Sequence, residues 1–214
     1  MTLKHTEPSP GTRERILDTA ERLFAVHGFA GTSVREITDA AEANLGAVNY
    51  YFRSKENLYT EVFMRRAALL RGPVEAAGRE AAGLARTSPE RALRTLGRAF
   101  MVPHEDHGAS QYLIGLFARE AVEACLPPGL LVREFLVPII ETTTGVLRRA
   151  WPNLPETKAR ACAHSFFAQL MHIVKGAGHA ATPVDDQFEH AVRFTVAAVR
   201  HMAGDQSGPS RRNS

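Results

Sequence analysis

Apolar residues at Ile16, Ala20, Leu23 and Phe24 recur at helical spacing and stop at Gly28, which predicts a first helix with Thr12 as its N-cap and a left-handed glycine at its end. After Phe29-Ala30-Gly31, the run Ser33-Val34-Arg35-Glu36 has the spacing of a capping box, so a second helix starts there and turns Val34, Ile37 and Ala41 toward the first. The pattern breaks over Glu42-Ala43 and resumes at Asn44, an N-cap for a third helix, Leu45 to Tyr51. A helix of about seven residues does not hold itself together in water. Val48, Tyr51 and Phe52 must pin it, and its other face, with Leu45, Gly46, Ala47, Asn49 and Tyr50, is small or neutral. Two helices across a tight turn have the spacing of a helix-turn-helix, whose second helix enters a DNA major groove. Asn can pair with adenine N6/N7 and an apolar side chain can touch a thymine methyl. Ser54 caps a fourth helix with Lys55 in its first turn; that is the wrong sign for the helix dipole and suits an external anion such as a DNA phosphate.

Beyond Lys55 the chain reads as helices throughout. The fourth runs at least to Arg71 through Leu58, Val62, Ala68 and Leu69, with Gly72-Pro73 predicting a kink or interruption before it resumes to about Ala85. Ser88-Pro89-Glu90 opens a helix carrying Ala92, Leu96, Ala99 and Phe100. A loop over Pro103 to Ala109 precedes a helix from about Ser110 to Ala124, and Pro127-Pro128-Gly129 separates that from one near Leu130 to Trp151, bent at Pro138. Asn153-Leu154-Pro155-Glu156 opens a helix to about Gly176, and Val184 to Met202 forms the last. The expected fold is all-α, about nine helices, as a helix-turn-helix domain over 1–54, a helical body over 55–203 and a disordered polar tail over 204–214.

Composition narrows the function without naming it. With 214 residues and 44% hydrophobic content the chain can bury a sizeable core, and no apolar run approaches a membrane span, so a cytoplasmic protein is expected. The net charge of +3 is compatible with nucleic acid, but residues 1 to 60 hold seven Lys or Arg against eight Asp or Glu. DNA binding therefore needs Lys4, Arg13, Arg35, Arg53 and Lys55 on one side, with Glu14, Asp18, Glu21 and Asp39 elsewhere. Cys125 and Cys162 fit no disulfide framework or zinc spacing and read as buried thiols. His104-Glu105-Asp106-His107 resembles a metal site only weakly, so no metal and no cofactor is expected. No nucleophile-base arrangement, phosphate loop or HExxH appears, which argues against an enzyme. A helical scaffold or adaptor with a merely structural helix-turn-helix is the alternative.

The two last helices carry apolar residues around more than half of their circumference, which calls for burial on two sides. Ala163, Phe166, Leu170, Val192, Val196 and Val199 are the candidate face for a four-helix bundle with a second copy. The plainer reading buries both sides within one subunit.

The run Ile16 to Phe24, then Gly28-Phe29, Gly31 to Val34, Ile37, Ala40-Ala41 and Asn44 to Leu58 resembles the N-terminal domain of TetR/AcrR-type transcriptional repressors, over about 47 residues of contiguous pattern. The resemblance implies a homodimer that binds a palindromic double-stranded DNA operator and releases it when a small molecule enters the C-terminal domain. It implies phosphate contacts from Thr32 and Ser33, with Arg35 on the same side, bases facing Leu45, Gly46, Ala47, Asn49 and Tyr50, and a backbone grip by Tyr51 and Lys55. Glu42 stands where the family often has Gly, so the turn is expected to be shaped differently. Leu45 stands where many relatives carry a cation or polar residue. A regulator of this type needs a cavity, and Phe100, Tyr112, Leu116, Phe117, Glu120, Phe135, Trp151, Phe167, Met171 and His172 are its candidate lining, although an aromatic at helical spacing is far more often a mark of plain packing.

Overall fold

The computed structural model describes residues 11–101, 116–117, 119–120, 122–176 and 182–204. Among them every regular element is helical: α1 Thr12–His27, α2 Val34–Ala40, α3 Gly46–Phe52, α4 Lys55–Leu84, α5 Pro89–Met101, a π-helical segment Val132–Leu136, α6 Val137–Ala150, α7 Glu156–Gly176 and α8 Val184–Ala203. Leu116, Phe117, Arg119, Glu120, Val122 and Glu123 are also helical. The loop expected over 103–109, most of the helix expected over 110–124, His104 to His107, Tyr112, Lys4 and the tail after Gly204 lie outside the described residues.

The chain divides into two compact units. One gathers the described residues of 1–68 and 107–131, the other those of 69–106 and 132–214. The division falls inside α4 rather than at residue 54, because Leu58, Tyr59, Val62 and Phe63 are buried with the N-terminal helices.

In the first unit, Ile16, Leu17, Ala20 and Phe24 form the buried stripe of α1. Thr12 is not its N-cap as expected: Gly11, left-handed at φ 87, precedes the helix, and Thr12 is buried in the first turn. Gly28 ends α1 at φ 78, ψ 174, a conformation open to glycine. A Cβ there would also collide with Glu123. Phe24, Phe29 and Tyr59 meet edge to face at 5.0 and 5.2 Å from the Tyr59 ring, and Phe63 meets Phe117 at 4.8 Å.

The second unit packs small residues of α4 against α5 and α6, with Ala77, Ala81, Ala85, Ala92, Leu96 and Val146 in one apolar cluster. Gly97 of α5 leaves no room for a Cβ beneath Phe188 and Phe166, so its bare backbone lets α8 close on α5. Arg94 donates to both Glu189 oxygens at 2.9 Å, holding that carboxyl below its usual range, and Arg98 reaches Asp185 at 2.7 Å.

Two proline expectations resolve differently. α4 runs unbroken through Pro73. The carbonyl that Pro73 cannot bond belongs to Leu69, and both residues are exposed, so water can serve it. At Pro138 the helix changes winding over Val132–Leu136 before α6 begins. The carbonyl four residues before Pro138 is that of Glu134, and Arg71 donates to it at 2.9 Å. Arg71 also reaches the Glu134 carboxylate at 3.3 Å.

Candidate nucleic-acid interface

The head is set by three local devices. Ser33 accepts from the Glu36 amide at 3.1 Å while its own amide donates to the Glu36 carboxylate at 2.7 Å, the capping box read from the sequence. These two bonds hold the Glu36 carboxyl below its ordinary range. Glu42 adopts φ 50, so this residue itself supplies the left-handed position of the turn that glycine would otherwise take. The Ala43 amide donates to Thr38 O at 2.9 Å, and Arg15 of α1 holds Ala41 O at 3.2 Å. Asn44 then accepts from the Gly46 amide at 2.6 Å, and Leu45 already has helical dihedrals, so Asn44 caps α3 as its sequence predicts.

α3 is pinned by Val48 and Phe52, which are buried, with Tyr51 half-buried and its ring 6.1 Å from Phe52. Leu45 and Tyr50 stand out at 59% and 72% exposure, with Gly46 and Asn49 exposed beside them. Ala47 departs from the expected set, because it is 4% exposed and faces the core with Val48. Thr32 departs too: it is buried, and its hydroxyl donates to Gly28 O at 2.8 Å, which commits it to the turn instead of a phosphate. Ser33 and Arg35 are exposed, Arg35 lying 3.8 Å from Asp39. Asp39 therefore does not point away from the cations as the charge argument required. Lys55 holds its ammonium 4.1 Å over the Phe29 ring. Arg13 is also drawn out of the expected basic face, paired with Glu61 and with Glu14.

The acids of α1 are held by α4. Glu21, 2% exposed, takes Arg65 at 2.8 Å and pairs with Arg66, while Arg65 also reaches Asp18 at 2.9 Å. Sequence reasoning missed this network, although Glu21 falls on the buried stripe with Ile16, Leu17, Ala20 and Phe24, and an acid there asks for a cationic partner. It also missed a second tie. Arg119 donates to Ala25 O and Val26 O at the C-terminal end of α1, and Glu123 accepts from the Phe29 amide at 3.0 Å.

The candidate ligand residues fall in both units. Glu120 accepts from Tyr59 Oη at 3.0 Å and from the Cys125 and Leu126 amides, so it closes a helix end in place of lining a cavity. Burial and the Glu120 charge push the Tyr59 hydroxyl pKa up. Leu116 and Phe117 are core residues of the same unit. In the second unit Phe167 stacks edge to face on Phe100 at 5.2 Å and on Phe135 at 5.9 Å. The void beside them, bounded by Val74, Ile139 and Leu170 among others, has a volume of about 10 Å³, scarcely one water. Trp151 is buried and Met171 half-buried, whereas His172 is exposed on α7 and lines a separate groove of about 680 Å³ with Gln169, Ile173, Gln187, His190 and Arg193. The candidate dimer residues Ala163, Phe166, Leu170, Val192, Val196 and Val199 are all buried within the single chain, because α7 packs against both α6 and α8. The plainer reading holds for them.

Residues 16–62 match the model for bacterial regulatory proteins of the tetR family. Over that segment the chain resembles the N-terminal part of tetR-family regulators. A regulator AcrR of Shigella flexneri is 38% identical over 63 residues, 29% of this chain and 29% of its own. The repressor AcnR of Corynebacterium glutamicum is 34% identical over 68 residues, 32% of this chain and 36% of its own, so the similarity spans about a third or less of either relative. A TetR-family regulator from Mesorhizobium loti superposes at a TM-score of 0.67 over 89% of this chain and 98% of its own with 19% identity, and a regulator from Rhodococcus at 0.67 over 88% and 96% with 23%. These two likenesses show a shared fold over most of the chain. The relatives are transcriptional regulators, not enzymes.

Proposed function

We propose that the protein is a cytoplasmic transcriptional repressor that binds a palindromic DNA operator as a homodimer and leaves it when a small-molecule effector binds the C-terminal unit. The observation that carries this reading is α3: a seven-residue helix pinned by Val48 and Phe52, with Leu45, Asn49 and Tyr50 turned to solvent, on a tetR-family segment. A structural helix-turn-helix in a scaffold would bury that face in its own core. No helix among the described residues is long and apolar enough to cross a membrane.

A second copy supplies the second half-site, about one helical turn of DNA away. The faces of α7 and α8 that remain open in one chain support the pairing: Ala161, Ser165 and Ala168 on one helix, Phe194 at 55% exposure and Ala197 on the other. The aromatic cluster around Phe167 is the apolar end of the effector site, and an effector must open it, since the closed void holds no drug-sized molecule. Binding then works by population shift toward a state that holds operator weakly.

Selection of bound fragments from genomic DNA, followed by titration of the recovered duplex at several salt concentrations, tests the reading. A repressor gives an enriched site and a steep salt dependence, and Lys55→Ala weakens all duplexes alike and lowers the salt slope by about one. Failure to enrich any duplex overturns it.

A further inference from the structure

We infer that α3 reads a half-site core made of A·T pairs, with Leu45 against a thymine methyl and Asn49 on an adenine edge. This rests on the operator-binding reading above and adds which bases are read. Guanine is most often recognised by Arg or Lys on its O6 and N7. The outward face of α3 has neither: Leu45, Gly46, Asn49 and Tyr50 are all neutral. The neighbouring cations belong to other elements, Arg35 to α2 and Lys55 to α4. Arg35 faces Asp39 at 3.8 Å, and Lys55 lies over Phe29. Arg53 follows the C-terminal end of α3, whereas recognition helices bring their N-terminal residues to the bases.

Leu45 is the sharper clue. A leucine left 59% exposed at the start of a recognition helix gains most from an apolar partner, and the thymine C5-methyl is the one apolar group that any base pair presents in the major groove. The next residue, Gly46, has no side chain to hold the helix off, and a Cβ there would stand 3.1 Å from Asn44 Oδ1, the atom that caps α3. That cap commits the Asn44 carboxamide, which leaves Asn49 as the amide on the exposed face. Asn is the side chain that fits adenine N6 and N7 together. Leu45 and Asn49 are four apart on one helical face, with Cβ atoms about 6 Å from each other, which spans one to two base-pair steps of about 3.4 Å. Tyr50 adds a hydroxyl that both donates and accepts, so it does not by itself prefer a base.

The experiment is selection of the full chain on a randomised duplex pool, followed by titration of the enriched duplex with uracil in place of single thymines and 7-deazaadenine in place of single adenines. The inference requires two A·T pairs one or two steps apart in each half-site. One uracil substitution should weaken wild-type binding about fourfold, the worth of one buried methyl. Leu45→Ala should weaken binding to the thymine duplex by a similar factor and be indifferent to the uracil. The side chain is exposed, so this variant keeps the fold. A core of G·C pairs at these positions, or a uracil effect equal in wild type and Leu45→Ala, overturns the inference while leaving operator binding standing. A pool from which nothing is enriched overturns the reading beneath it.

Discussion

Glu21 shows how a single side chain fixes the head to the helix that follows it. Its carboxylate is 2% exposed and is shared by Arg65 and Arg66, both themselves largely covered. Removing the charge from such a group leaves two guanidinium groups facing a neutral partner in a poorly solvated place, and breaking a buried pair costs about 3 to 5 kcal/mol. Glu21→Gln should therefore lose about 3 kcal/mol of unfolding free energy in urea, near the low end because the amide keeps one acceptor. Glu14→Gln, on the exposed end of the same network, should change stability by about 0.5 kcal/mol or less. Equal effects of the two would mean that the buried position of Glu21 contributes nothing. The need for a partner was legible in the sequence, since the acid sits on an apolar stripe. Which cations answer it was not, because Arg65 and Arg66 are more than forty positions away. Ala47 and Thr32 mark the same limit at shorter range: an alanine or threonine fits a core or a surface equally well, and only the packing of α3 and the turn at Gly28 decides.

Elements whose determinants are local were the most legible. The capping box at Ser33 and Glu36, the Asn44 cap and the Ser88-Pro89 helix start each depend on residues within one turn, and each appears where the spacing put it. Glu36 makes this testable by pH. Its folded pKa is held below the unfolded value by bonds to Ser33, so its contribution is present above the ordinary carboxylate range and is lost as pH falls through the depressed value. The thermal midpoints of wild type and Glu36→Gln should differ at neutral pH and converge as the buffer is taken below about pH 4. A gap that is constant from neutral to acid would mean that the carboxylate charge is not what the box uses. Elements set by distant partners were less legible. The proline at 138 signals a disturbed helix, but the π winding and the Arg71 guanidinium on the freed Glu134 carbonyl depend on a residue 63 positions earlier. Which candidate ligand residues line a site was illegible for a related reason, since an aromatic that closes a core and one that lines a cavity carry the same periodicity.

At the scale of the whole molecule the question is what covers α7 and α8. Their doubled apolar surface suggests a core face plus a dimer face, but in the single chain both are spent on α5, α6 and each other. What is left open includes the small side chains Ala161, Ser165 and Ala168 on α7 and, on α8, Ala197 and the large apolar Phe194, on which His190 stacks at 6.1 Å. Small residues let two helices approach closely, and a half-exposed phenylalanine beside them is the anchor such an approach would bury. Phe194→Glu should therefore leave the thermal midpoint of a dilute sample nearly unchanged, because the side chain makes little of the intrachain core, while sedimentation at micromolar concentration shifts from dimer to monomer. Operator affinity should fall with it, since a lone head retains one half-site of contacts. A variant that still sediments as a dimer would place the partner on another face; one that is monomeric yet holds operator as tightly as wild type would show that each head acts alone.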